Sequence, residues 1–329
     1  MRAVFVNEFG GPEKLTVVER SDPRPGPGEM VVRVEAAGVN FRDVMVRRGA
    51  YPALPKPPLP MGGEGAGTVT EVGSSVTGFT VGDRVAWANV EGSYAESVAV
   101  PASAAVHVPA KVSTEHAAAV LAQGLTAHYL TTSVWPIDTG ASVLVLSAAG
   151  GVGLLMTQVL SARGARVLAV VSSQAKAEYA RSAGAERVLV GYDDIAAMAR
   201  DFTEGRGVDV VFDGVAGDGF PSSLASVRPR GCVVLYGSSG GEPPLLDVRQ
   251  LGLSGSIFLT RPGLADFISS RTEMLQRTTE LFDWLADGVI GVHIGATYSL
   301  DDVAAAHRDL ESRGTVGKLM IRPQDGIHA

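Results

Sequence analysis

Seven residues, Ser147-Ala148-Ala149-Gly150-Gly151-Val152-Gly153, constrain this chain more than any other stretch of it. They follow an apolar, β-branched run, Val143 to Leu146, and open a helical pattern, Leu154 to Ala162. A strand, a glycine turn and a helix in that order are the context in which a glycine string reads as a dinucleotide-binding loop. Glycine lets the backbone approach a pyrophosphate, and the helix start offers unpaired N–H groups and the positive end of its dipole. Glycines at this spacing also occur in plain tight turns, but the flanking strand and helix favour the cofactor reading. Ala149, Gly150, Gly151, Val152 and Gly153 are therefore the expected cofactor-binding residues of this loop. No charged residue occurs from Thr139 to Ala162, which imitates a membrane span. The glycines split that run and Gln158 sits in its second half, so strand, turn and helix is the better reading and no membrane partner is expected.

The texture of the chain changes on either side of residue 113. Before it come short strands, Ala3 to Val6, Leu15 to Glu19, Met30 to Glu35, Gly67 to Gly73 and Gly92 to Glu96, with the breaker Asp22 to Gly28 among them. That pattern implies a compact β-barrel-type domain. Ser113 or Thr114 caps an Ala-rich helix, with Glu115 in its first turn. Strands at Val143 to Leu146, Arg166 to Val171, Arg187 to Val190, Val208 to Phe212, Cys232 to Tyr236 and Ser256 to Thr260 then alternate with helices, including Lys176 to Ala183 and Ile195 to Phe202. Such alternation predicts an α/β fold with a doubly wound parallel sheet. One long helical pattern follows, from Leu264 to Leu285 and ending at Gly288, before a last strand at Lys318 to Ile321. The simplest topology returns this tail to the first domain. Residues 1–122 and 265–329 then form one domain and residues 123–264 a dinucleotide-binding domain inserted in it.

The end of the second strand separates the two nicotinamide cofactors. An acid there would bind the ribose hydroxyls of NAD and repel a 2′-phosphate. The chain instead reads Val171-Ser172-Ser173-Gln174-Ala175-Lys176, placing hydroxyls at Ser172 and Ser173 and an ammonium at Lys176 where a phosphate would sit. NADPH is the expected cofactor. Lys176 alone would read better as a solvated helix residue; the missing acid is what moves the balance toward a phosphate site.

Composition excludes several other classes. A formal net charge of -7 leaves no basic footprint for nucleic acid. The single cysteine, Cys232, forbids an intramolecular disulfide and any multi-thiolate zinc site. With an acid at Glu8 and no apolar run before it, the start of the chain does not read as an export signal, and a cytoplasmic location is expected.

Several strings in order, Gly38-Val39-Asn40-Phe41-Arg42-Asp43, Gln123-Gly124-Leu125-Thr126-Ala127, Ala148 to Gly153, Leu259-Thr260-Arg261-Pro262 and Leu310-Glu311-Ser312-Arg313, resemble the zeta-crystallin and quinone oxidoreductase family of the medium-chain dehydrogenase/reductases. The resemblance runs over nearly the whole chain. It implies a Rossmann domain inserted in a GroES-like catalytic domain, a homodimer, and NADPH as the reductant. It further implies that Asn40 approaches the nicotinamide and that Tyr51 lines the substrate cleft. Thr126 joins the cofactor residues, Lys176, Tyr192 and Arg313 surround the 2′-phosphate, and Gly237 and Ser238 lie beside the nicotinamide ribose. Tyr192 also reads as a helix-start aromatic, Arg313 as a solvated helix-end charge, and Asn40 as a turn former. Many family members carry an aromatic where this chain has Met45, so the substrate-lining surface departs from the pattern there. Ser147 likewise replaces the usual Ala.

Zinc alcohol dehydrogenases of the same superfamily place metal ligands at the positions of Asn40 and Gly63, and neither residue here supplies a thiolate or imidazole. His107, His116, His128, His293, His307 and His328 are scattered and read as surface or core. Without a Lewis acid the acceptor must take hydride readily by itself, as quinones and conjugated carbonyls do. Three functions stay open on this reading. They are quinone reduction, by hydride or by single electrons; reduction of an enone or enoyl double bond; and an NADPH-binding structural or sensor protein with little catalysis.

Overall fold

The computed structural model describes residues 1–51 and 54–325. In chain order its first elements are β1 (Arg2–Val6), β2 (Leu15–Glu19), β3 (Glu29–Val39), α1 (Phe41–Arg48), β4 (Leu59–Pro60), β5 (Glu64–Val72), β6 (Arg84–Ala88), β7 (Ser97–Pro101), β8 (Ala105–His107) and α2 (Thr114–Tyr129). Strands and helices then alternate as β9 (Ser142–Leu146), α3 (Gly151–Ala162), β10 (Arg166–Val171), α4 (Gln174–Ser182), β11 (Arg187–Val190), α5 (Ile195–Phe202), β12 (Val208–Asp213), α6 (Phe220–Ser226), β13 (Val227–Leu235), α7 (Arg249–Leu253) and β14 (Phe258–Thr260). The chain closes with α8 (Leu264–Phe267), α9 (Arg271–Ala286), β15 (Ile294–Tyr298), α10 (Val303–Glu311) and β16 (Lys318–Ile321). Two units result: Met1–Ala122 with Ser270–Ala286 and Val292–Ala329, and Gln123–Ser269 with Asp287–Gly291.

The first unit holds a three-stranded sheet, β2-β1-β4, and a seven-stranded one in which β15-β16-β3-β5-β6-β8 run side by side and β7 also pairs with β3. β3 is the organising strand. Its eleven residues carry antiparallel partners on both sides, and its buried side chains Met30, Val32, Val34, Ala37 and Val39 enter one core with Trp87, Tyr94 and Leu319. The pairing of β16 with β3, Leu319 opposite Val39, returns the tail of the chain to the unit in which it began.

The second unit is built on a six-stranded sheet in the order β11-β10-β9-β12-β13-β14, every pair parallel. Central strand β9 is buried at all five positions, as a strand with helices packed over both faces requires. Counted from β9, the order is 3-2-1-4-5-6, the doubly wound order of dinucleotide-binding domains. The order in which strands are added reverses between β9 and β12, although the two run parallel, and ligands of such sheets bind beyond the carboxyl ends of the strands at that switch point. The apolar run from Thr139 to Ala162 is thereby used up as β9, turn and α3. Among the described residues no helix is long and apolar enough to cross a membrane.

Two expected elements differ. Gly92 to Glu96 is not a strand: Gly92 has φ +95°, and the N–H groups of Gly92 and Ser93 bond to the Gly62 carbonyl rather than to a ladder. Only an isolated bridge, Ala3 to Ala95, remains, and the strand begins at Ser97. The long helix expected from Leu264 also divides into α8 and α9. Ser270 caps the second piece, its carbonyl accepting from the Met274 N–H, and serine favours such a helix start over a helix interior.

Candidate functional site

The glycine loop leaves β9 at the switch point. Ser147 takes the left-handed conformation, φ +57°, and Gly150 stands extended at the N-cap of α3. The glycines answer different constraints. A Cβ built on Gly153 would lie 2.8 Å from the Ala148 Cα and still closer to the Ser147 carbonyl oxygen, so only glycine lets α3 pack this tightly on its own loop. One built on Gly151 would collide with the Gln123 side chain of α2. Thr126, half-buried, lies one helical turn beyond Gln123 on the same face. A Cβ at Gly150 would be less crowded, 3.2 Å from the Ser147 hydroxyl oxygen and 3.3 Å from its carbonyl oxygen. The first N–H groups of α3 have no acceptor within the helix, and their partial positive charge suits an anion.

The ends of the neighbouring strands supply the rest. Ser172 and Ser173 follow β10, Ser173 standing extended as the N-cap of α4, and Lys176 in the first turn is half-buried. Burial holds the Lys176 ammonium below the usual lysine range. Tyr192 follows β11, whose pairing with β10 aligns Val171 with Val190 and bonds the Gly191 N–H to the Val171 carbonyl. The fold therefore brings Ser172, Ser173, Lys176 and Tyr192 to two adjoining strand ends, with no acid at the end of β10. Gly237 and Ser238 leave β13 at the same edge, where a Cβ on Gly237 would lie 2.8 Å from the Gly214 carbonyl oxygen. Beside them Tyr236 points its hydroxyl toward the Leu146 carbonyl at 3.5 Å, and burial raises its pKa. Arg313 belongs to the other unit, just past α10, with φ +56°.

In the first unit Asn40 precedes α1, and its backbone N–H donates to the Asp43 carboxylate at 2.9 Å, half of a capping box. Its side chain is engaged elsewhere. Nδ2 donates to Glu64 Oε1 at 2.7 Å and Oδ1 accepts from Lys318 Nζ at 2.9 Å, while Glu64 and Lys318 are ion-paired. Both charged side chains are buried, at 0% and 1% exposure, so this pair is among the most desolvated in the protein. A second network lies alongside. Asp43, wholly buried, accepts from the Tyr94 hydroxyl at 2.8 Å, and burial pushes its carboxyl up to about 6 against the opposing pull of Arg42. Arg42 pairs with Glu91 and stacks over the Tyr51 ring at 4.7 Å. Met45, half-buried in α1, lies one helical turn beyond Arg42, on the same side of the helix.

Those neighbours bear on metal binding. A side chain at Gly63 would enter the space of the Arg42 guanidinium, 2.9 Å from its Nη1. A cation there would face a fixed positive charge, and Asn40 is already committed to Glu64 and Lys318. Among the described residues no group of three His, Cys, Asp or Glu side chains is placed to hold a metal ion. His307 is core, against Tyr94 and Arg47, whereas His328 lies outside the described residues.

Sequence reading assigned no role to Glu64, Lys318, Arg42, Asp43 or Tyr94. The available signal was a charge in an apolar setting: Glu64 inside Gly62-Gly63-Glu64-Gly65-Ala66-Gly67, and Lys318 heading the strand Lys318-Leu319-Met320-Ile321. Such residues are costly to bury unless paired, but which residue pairs with which is decided by strand register.

Known proteins share this architecture throughout. Residues 26–110 match the alcohol dehydrogenase GroES-like domain, and residues 151–283 the family described as zinc-binding dehydrogenase. The quinone oxidoreductase of Pseudomonas aeruginosa is 38% identical over 96% of this chain and 97% of its own. A 2-haloacrylate reductase of Burkholderia is 37% identical over 98% of this chain and 99% of its own. The crystal structure of Escherichia coli quinone oxidoreductase complexed with NADPH superposes with a TM-score of 0.95, at 36% identity over 98% of this chain and 100% of that one. With both lobes matched and the similarity spanning nearly every residue of each relative, the chain belongs to the quinone oxidoreductase (zeta-crystallin-like) family of zinc-free medium-chain dehydrogenase/reductases.

Proposed function

We propose that this oxidoreductase passes reducing equivalents from NADPH to a quinone, with no metal in the reaction. The observation that carries the reading is the strand-end edge of the second unit, where an anion-seeking helix start adjoins two serines and a half-buried lysine and the end of β10 carries no acidic residue. Bound there, NADPH supplies the hydride. Gly150, Gly151, Val152 and Gly153 hold the pyrophosphate by backbone N–H groups, and Ser172, Ser173, Lys176 and Tyr192 hold the 2′-phosphate. Ala149, Thr126, Gly237 and Ser238 seat the nicotinamide ribose and its surroundings. Asn40 orients cofactor and acceptor through its amide, and Tyr51 and Met45 line the acceptor's side, excluding water. A quinone accepts hydride without prior polarisation, so the protein's task is proximity and orientation.

A second reading, reduction of an activated carbon–carbon double bond, is favoured by the near-equal similarity to the haloacrylate reductase. Rates of NADPH oxidation with 1,4-benzoquinone, 1,4-naphthoquinone, a simple enone and 2-chloroacrylate decide between them. Quinone reduction stands if a quinone gives the highest kcat/KM, and it gives way if the enone or acrylate is reduced far faster than every quinone. Chelators should leave these rates unchanged.

The same reading extends to assembly as a homodimer. Among the described residues β14 is an edge strand whose outer hydrogen-bonding groups face no neighbour in the sheet, and Phe258 on it is 56% exposed. Leu245, Val248 and Leu253 are exposed on the segment leading to it. Uncovered strand edges flanked by apolar side chains invite pairing with a second copy.

A further inference from the structure

We propose that Glu64 and Lys318 are positioning residues which lock the Asn40 side-chain amide in one of its two orientations. This rests on the reading of Asn40 as the residue that faces cofactor and acceptor. A primary amide is nearly symmetric in shape, and packing alone distinguishes its two flip states poorly. Its neighbours here distinguish them fully. Lys318 Nζ carries only donors and lies 2.9 Å from Oδ1; the Glu64 carboxylate carries only acceptors and lies 2.7 Å from Nδ2. Turning the amide over would set N–H against ammonium and carbonyl against carboxylate, exchanging two charge-assisted bonds for two repulsions.

The lock is itself anchored. Glu64 opposes Gly38 across the β3–β5 ladder, since Gly65 pairs with Ala37, and its second oxygen accepts from the Ala122 N–H at 2.9 Å. Lys318 is carried beside Asn40 by the β16–β3 register, Leu319 opposite Val39. Room for the pair depends on Gly38, where a Cβ would lie 2.7 Å from Lys318 Nζ and closer still to Glu64 Oε1. A buried ion pair seldom stabilises a fold relative to apolar residues of the same volume. Beneath Asn40 it does something apolar residues cannot, leaving one N–H and one carbonyl lone pair of the amide in known places.

The test is a double-mutant cycle in steady-state kinetics. Glu64→Gln with Lys318→Met removes both charges together, so no unpaired charge is left buried, and it gives Asn40 a partner that accepts either amide orientation. We expect kcat to fall about tenfold or more with NADPH affinity within about twofold of wild type. In an Asn40→Ala background the same two substitutions should change kcat by less than about twofold, because the amide they act through is gone. An unchanged kcat in the charge-free variant overturns the proposal, as does an equal loss with and without Asn40. Both results are distinct from an Asn40→Ala variant that retains full turnover, which would remove the role of Asn40 and the proposal with it. Should the charge-free variant not fold, nuclear magnetic resonance of wild type labelled at asparagine reads the lock directly. A locked amide gives one pair of Nδ2 proton signals, one moved strongly downfield by the carboxylate, and an unshifted, rapidly exchanging amide overturns the idea.

Discussion

At the scale of single residues, the side chains that matter carry charge or hydrogen-bonding groups in settings where water cannot compensate them. Lys176 is half-buried already, so a 2′-phosphate would meet an ammonium partly stripped of water. Lys176→Ala should weaken NADPH by about tenfold to a hundredfold, the value of one charge-assisted bond at about 1.5–3 kcal/mol, and leave NADH almost unaffected. Titration of both cofactors by fluorescence checks this, and equal weakening would show that Lys176 does not meet the phosphate. His307 is a different case. Burial, reinforced by the nearby Arg47 guanidinium, holds its pKa down to about 3, and Nε2 has no partner among the described residues. A depressed histidine contributes stability at neutral pH that is lost on acidification below about 6.5, where the unfolded chain binds a proton and the native state does not. Asp43 acts oppositely, because a carboxyl raised to about 6 makes the native state hold its proton longer, so its stability is lost as pH rises from about 4 to 6. The two slopes largely cancel in wild type near pH 5. The difference between wild type and His307→Gln isolates the imidazole: from pH 5 to pH 7 it should shift by about 2 kcal/mol in favour of wild type. Denaturant melts at the two pH values measure it.

At the scale of elements, the loop between β9 and α3 shows how glycine spacing becomes geometry. Gly153 is required by the helix's own approach to Ser147 and Ala148, independently of any ligand. Gly153→Ala should therefore lower stability as well as NADPH affinity, by about 1–3 kcal/mol of overpacking. Gly150→Ala meets no backbone closer than 3.3 Å and should cost affinity more than stability. Melting temperatures set beside NADPH dissociation constants separate the two glycines, and identical profiles would contradict this division of roles. The start of α9 makes a related point. An apolar periodicity continued across Ser269 and Ser270, yet the helix stops and restarts there, because a serine cap competes with helix continuation.

At the scale of the whole molecule, the open edge at β14 and the apolar side chains beside it set the expectation for assembly. If a second copy covers them, Phe258→Arg together with Leu253→Arg should convert a dimer to monomer, since like charges placed on a buried interface are left unpaired and repel. Light scattering after size exclusion reads the mass. A wild-type monomer at micromolar concentration, or a variant that remains a dimer, would show that this face is not the contact.

The sequence by itself determined the class of the second unit, because alternation of strand and helix is local and the glycine loop is recognised by what precedes and follows it. β2, β10, β11, α5 and β16 begin and end where periodicity placed them. It also determined the strand-end residues Ser172, Ser173 and Lys176, which sit next to the elements that carry them. Only the tertiary structure decided the surroundings of Asn40. Glu64 and Lys318 are separated from it by 24 and 278 residues in the chain and reach it through two antiparallel registers. A slip of one residue in either ladder would turn the charge to the opposite face of its strand. Local pattern records which side chains are polar. Long-range pairing determines which polar side chains meet, and a buried carboxylate, an ammonium and an amide acquire their meaning from that meeting.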